Sequence, residues 1–271
     1  MHKLINASLF KLFRDKTFFV TMIIGVVLGF AMIGLNYGVS EGSINGARFF
    51  LSGSTVGNGF GITVPINLIV FTIGEFTYGT IRNKVIAGLS KTKIYLALLF
   101  TGFIFTLILM GMYTLITVGF GSIIGGFDAS DIGGASFILK YLLYIICDYV
   151  FVVSLSVFFA TMIRVTGGTI SLAIVLLVFL NLMPLFLFIG TTASSGITSA
   201  AHWSMWINPL YFTGFYSNDV VSLIARLNED IKEMLFDQTA QMMAAGILVP
   251  LLYSALFAGL GIFFFNRRDI K

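Results

Sequence analysis

Charge is what this sequence has least of. Asp, Glu, Lys and Arg make up 10% of its 271 residues, where an ordinary soluble domain carries about 25%. A water-soluble fold of this length could not hide the 58% hydrophobic residues that take their place. Cysteine is nearly absent as well: Cys147 stands alone, which excludes an internal disulfide framework and a cysteine-based metal site. Set in an apolar run, Cys147 reads as a small buried hydrophobe. Neither His2 nor His202 has a second ligand-type residue at useful spacing, so no metal site is expected. Also missing is a G-x-x-x-x-G-K-[ST] phosphate loop. Gly88-Leu89-Ser90-Lys91-Thr92 ends similarly but lacks the spacing and a preceding strand.

What is present is long apolar sequence, with a mean hydropathy of +0.99. A membrane-spanning helix needs about 20 mostly apolar residues, because each adds ~1.5 Å across a ~30 Å hydrocarbon core. Charge-free intervals place six such helices at 17–35, 61–78, 94–120, 141–163, 168–190 and 244–265. Helices are forced there, since backbone N–H and C=O groups find no water in lipid. The expected fold is an all-α polytopic membrane protein forming a single transmembrane domain over 1–271. Before the first span, Ile5, Leu9, Leu12 and Phe13 recur at helical spacing between Lys3, Lys11, Arg14 and Lys16. That pattern describes an interfacial helix over 1–16 rather than a cleavable signal.

Orientation follows from the loops. With the N-terminus inside, the inner segments hold 12 of the 16 basic residues, while most acidic residues fall outside. Both termini are therefore expected in the cytoplasm. The net charge of +4 is accounted for by this bias, and no nucleic-acid partner is expected. The external segment 191–243 is the longest connection. Trp203, Trp206, Pro209, Tyr211, Phe212 and Phe215 crowd its first half, as in an outer aromatic belt or a re-entrant hairpin. Val220, Val221, Ile224, Leu227 and Ile231 share one face of an expected amphipathic helix in its second half.

The most informative stretch runs from Gly74 to Tyr95. The second span ends at Glu75 and Gly79, a short basic helix follows, Gly88 stops it, and the chain re-enters the membrane at Ile94. Arg82, Lys84, Lys91 and Lys93 are expected to face a cytoplasmic partner or lipid headgroups. In this stretch the sequence resembles the permeases of type-2 ABC exporters, the bacterial ABC-2 permease family. Their E-x-x-x-G-T-x-R-x-K-x-x-x-G-x-S/T-R/K motif is matched in register by Glu75, Gly79, Thr80, Arg82, Lys84, Gly88, Ser90 and Lys91. The ending Phe265-Asn266-Arg267-Arg268-Asp269-Ile270-Lys271 and the layout of spans are similar to the family's as well.

The resemblance implies a coupling helix at 79–90 that docks into a separate ABC ATP-binding subunit. Two such subunits, carrying ATP and Mg, would serve two membrane subunits, identical or homologous; this chain would bind no cofactor itself. It would lie in a bacterial plasma (inner) membrane and export hydrophobic or amphipathic peptides of the antimicrobial type. Lipids or drug-like small molecules are the alternative cargo. Apart from Glu75 at the end of the second span, Asp148 is the single carboxylate within the spans, and a candidate for the translocation path with Asn181 and Pro184. A structural pairing of Asp148 with a polar neighbour such as Asn181 is the favoured reading; the alternatives are that it titrates and stays neutral, or that it is the proton site of an ion-coupled carrier. Pro184 is expected to bend its helix.

Overall fold

The computed structural model describes residues 2–39, 46–47, 59–128, 134–192, 205–211 and 240–268, which are helical apart from turns and short connections. The helices are α1 (His2–Arg14), α2 (Lys16–Val39), α3 (Gly59–Thr77), α4 (Thr80–Ile86), α5 (Lys91–Gly125), α6 (Gly134–Ile163), α7 (Thr166–Thr192) and α8 (Ala240–Arg267). Among the described residues there is no strand.

Asp15 separates α1 from α2, and its carboxylate accepts the backbone N–H of Thr17 at 3.0 Å, capping the second helix. Along α2, Phe18, Thr21, Gly25, Gly29 and Ile33 are buried, at the three- and four-residue spacing of one helix face. The opposite face carries Phe19, Val20, Ile23, Ile24, Val27 and Phe30, all exposed. Its outside is as apolar as its inside, which only a lipid solvent tolerates. Thr21 donates to the Asn67 side-chain oxygen at 2.6 Å, joining α2 to α3 inside the protein.

α6 is the axis of the bundle. It packs most extensively on α8 and also against α3, α5 and α7. Its sequence is apolar all round, and Tyr141, Tyr144, Ile145, Tyr149, Phe151, Val152, Leu155 and Val157 are buried, as expected of a central helix. Two of the glycines at close approach lie in this part of the bundle. A Cβ on Gly102 would lie 3.1 Å from Val153 and 3.2 Å from Leu68, so α5, α6 and α3 meet there. On α8, Gly261 faces the Tyr95 ring of α5. The Tyr95 hydroxyl is buried with no hydrogen-bond partner among the described residues. Tyr95→Phe should therefore stabilise the protein by about 1 kcal/mol, read as a raised thermal midpoint in detergent.

Among the described residues, four helices are long and apolar enough to cross a membrane: Lys91–Gly125, Ser136–Ile163, Thr166–Met183 and Met243–Arg267. Ile62–Thr77 with Thr80–Ile86 would make a fifth if the pair, bent by 55°, counts as one span; Lys16–Ala31 is a shorter apolar helix. The chain is thus a multi-pass helical membrane protein, with four to five candidate spans among the described residues. At ~1.5 Å per residue, the 35-residue α5 is about 52 Å long, well past the hydrocarbon core. The amphipathic segment expected at 220–231 lies outside the described residues.

Candidate functional site

The sequence motif and the C-terminal ending are remote in the chain, yet they meet at one end of the bundle. Glu75, in the last turn of α3, is the centre of the first group. Its side chain is 1% exposed, and burying a carboxylate is costly unless it is paired. Two lysines pair it. Lys84 of α4 donates to Oε2 at 2.7 Å, and Lys11 of α1 donates to Oε1. Lys11 also donates to the Thr80 hydroxyl at 3.3 Å and stands 5.7 Å from the centre of the Tyr78 ring. One buried carboxylate thereby ties the N-terminal helix and the short basic helix to the end of α3.

The glycines have a backbone reason. Gly79, at the 55° bend, has φ +66°, and Gly88 has φ +84°, a region costly for residues with a Cβ. Nothing else crowds either position. Gly79→Ala and Gly88→Ala should each destabilise by about 1–2 kcal/mol, with Asn at either site costing less, as thermal unfolding of the purified protein would report. Between the glycines, Ile81 is buried and Lys84 and Val85 are partly covered, while Arg82, Asn83 and Ile86 are exposed. α4 thus has an inner face held by Glu75 and a free outer face. Ser90 then accepts the N–H of Lys93 and caps α5.

The four basic residues expected to face a partner divide. Lys84 turns inward onto Glu75. Lys91 donates to the carbonyls of Asn266 at 3.1 Å and Arg268 at 2.7 Å, neutralising the C-terminal end of α8. Arg82 and Lys93 remain exposed. Asn266 adds a hydrogen bond from its amide to the Thr92 hydroxyl, 3.0 Å. Phe265 is fully buried between Tyr95 and Phe76, with ring centres 5.9 and 6.0 Å away. Arg268 donates to the carbonyl of Thr161 and, more closely, to that of Met162, the last turn of α6. Arg164 lies over the other contact of this cluster, 4.5 Å from the Phe76 ring centre. Burial, and then the charge of Arg268, pull its guanidinium below the ordinary arginine pKa.

Sequence reasoning missed the parts played by Lys11, Phe265, Asn266, Arg164 and Arg268 here. The FNRRDIK ending was the one available signal, and it gave no partner.

The candidate residues inside the bundle lie apart from this end. Asp148 is buried at 2% exposure on α6, and Asn181 is buried on α7. The Asn181 amide nitrogen has no hydrogen-bond partner among the described residues, so the Asp148–Asn181 pairing is not formed through it. Pro184 falls within α7, but its side chain, and the bend expected there, lie outside what is described. An apolar groove of about 410 Å³ opens between α5, α6 and α8, lined by Phe100, Phe103, Val153 and Leu251 with the hydroxyls of Ser154 and Ser254. Among the described residues no three His, Cys, Asp or Glu side chains cluster as metal ligands would.

Comparison with curated proteins and with solved structures gives no match. A family model described as ABC-2 family transporter protein matches residues 4–181, from α1 through the buried carboxylate and the short helix to Asn181 on α7. That is more than half of the chain, and it describes a membrane transport subunit that works with an ATP-binding partner. The chain belongs to the ABC-2 transporter family, as a multi-pass membrane subunit of an ABC exporter.

Proposed function

We propose that α4 is the coupling helix of this exporter, and that the Glu75 junction passes its displacement to the membrane helices. The observation that supports this reading is the two-sided character of α4. Its inner face is fixed through Lys84 and Ile81, and its outer face presents Arg82, Asn83 and Ile86. A push on the outer face cannot be absorbed locally, because the buried carboxylate binds α4, α3 and α1 into one unit. ATP is bound with Mg and hydrolysed by a separate subunit, in two copies, beside two membrane subunits of this kind. Six spans complete the chain: α2 and α3 cross with the four longer helices, and both termini lie on the cytoplasmic side of a bacterial plasma membrane.

The cargo is a hydrophobic or amphipathic peptide. Support comes from the apolar groove, whose polar features among the described residues are two serine hydroxyls already turned to carbonyls of their own helices, Val150 and Pro250. Such a surface has no charged group with which to select an ionic solute. A lipid or drug-like molecule is the runner-up, separated by export assays with each class in reconstituted vesicles.

Arg82→Glu tests the coupling role. It should reduce co-purification of the ATP-binding subunit at least tenfold and abolish cargo-stimulated ATP hydrolysis, with the thermal midpoint unchanged. Full assembly and activity in that variant would overturn the assignment. An ion-coupled carrier makes the opposite set of forecasts. Transport would survive ATP depletion and disappear in Asp148→Asn, a residue buried deep in α6.

A further inference from the structure

We infer that Arg164 and Arg268 form a binding site for the phosphate of an anionic membrane lipid. Arg164 fills the two-residue turn between α6 and α7 with φ +58°, the one described non-glycine residue of positive φ. Glycine or asparagine takes that conformation more readily, and strain of this kind persists where the side chain it positions is needed. The side chain it positions is incompletely bonded. Nε and Nη2 of Arg164 are buried with no hydrogen-bond partner among the described residues, although a guanidinium is built to engage a phosphate or carboxylate with two parallel N–H bonds.

A second guanidinium stands beside the first. Arg268 is anchored by Nη1 on the carbonyls of Thr161 and Met162, three and two residues before Arg164. Two like charges held this close destabilise each other unless an anion sits between them, and no carboxylate pairs with either among the described residues. The Arg164 guanidinium pKa is depressed by burial first and by the charge of Arg268 second.

The position identifies the anion. The turn joins two apolar helices directly, so it lies at the depth where a bilayer carries its phosphates. Val165 next to Arg164, and Phe263 and Phe264 in the last turns of α8 that lead to Arg268, are exposed, apolar surface suited to the upper part of an acyl chain. A water-borne phosphate would have no use for such neighbours. Bound there, the lipid would link α6, α7 and the end of α8 beside Phe76, next to the Glu75 junction. The inference concerns lipid binding alone and stands whether or not α4 meets an ATP-binding subunit.

The test titrates the purified full chain with dioctanoyl phosphatidylglycerol, following the thermal midpoint and the bound lipid by native mass spectrometry. Saturable stabilisation is expected, with the apparent Kd at least tenfold weaker in Arg164→Gln and in Arg268→Gln. Arg164→Lys, which keeps the charge should the glutamine variant misfold but loses the two parallel N–H bonds, should bind with an affinity between those of the unmodified chain and Arg164→Gln. Lys140→Gln, at the other end of α6, should leave it unchanged. Dioctanoyl phosphatidylcholine and inorganic phosphate at equal ionic strength should compete poorly. Equal affinity in the two glutamine variants, or full competition by inorganic phosphate, would overturn the assignment. Since Asp269 follows Arg268 in sequence, Asp269→Asn should bind as tightly or more tightly; a loss equal to that of Arg268→Gln would count against the pair.

Discussion

Glu75→Ala is expected to cost about 3–5 kcal/mol of stability and to uncouple ATP hydrolysis from transport. The carboxylate is buried while its partners are not equally so: Lys84 is 17% exposed and Lys11 is 40% exposed. Removing Glu75 leaves the Lys84 ammonium partly desolvated with nothing to compensate it, which is the costly half of breaking a buried pair. The Lys11 contact is open to solvent and screened, so Lys11→Met should cost well under 1 kcal/mol. A combined Glu75→Met, Lys84→Met variant separates stability from coupling. It removes both charges and keeps the volume, so much of the lost stability should return. The mechanical tie between α3 and α4 is still gone, so cargo-stimulated ATP hydrolysis should stay low. Recovery of both together would show that the junction is only a packing element.

Gly261→Leu is the second large effect, and it acts on the fold rather than on the site. Even the first added atom, a Cβ, would fall 1.9 Å from the Tyr95 hydroxyl oxygen and 2.3 Å from the ring carbon that bears it. Tyr95 is fully buried beside Phe265, so its ring has nowhere to go without parting α5 from α8. Overpacking of this kind costs typically 1–3 kcal/mol and occasionally more; with a leucine, loss of the folded protein is expected. Gly261→Ala should be milder but still destabilising, and pairing it with Tyr95→Leu should restore much of the loss. The internal control is Gly259→Ala, two residues away, where nothing lies within 4 Å. There the change should be neutral or stabilise by about 0.5–1 kcal/mol, because alanine favours helix over glycine.

Much of the architecture was legible because lipid imposes a one-dimensional rule on sequence: runs without charge become helices. The intervals 94–120, 141–163, 168–190 and 244–265 each fall inside a helix long enough to span. Their ends were less legible. Hydropathy does not register that α5 runs on through Gly119 and Gly121 to Gly125, or that α6 begins at Gly134. The glycines of the motif were readable as turn formers, and positive φ at Gly79 and Gly88 is their physical cause. The lysines were not. Basic residues next to a span are explained equally by a docking partner, by headgroups or by an internal pair, and only proximity decides. Lys11 reaches Glu75 across 64 residues of sequence, and Lys91 reaches Asn266 across 175. Arg164 was counted as one more inner-side charge, since no local pattern marks an arginine held at positive φ over an aromatic ring.

The central claim is that the outer face of α4 meets the nucleotide-driven subunit. A photocross-linker placed at Asn83, which is exposed and unpaired among the described residues, reports on it directly in the assembled exporter in native membranes. The account predicts one dominant adduct, to the ATP-binding subunit, whose yield changes between ATP-bound and nucleotide-free states. Adducts to lipid alone, or labelling of position 83 from the outer side of the membrane, would contradict it.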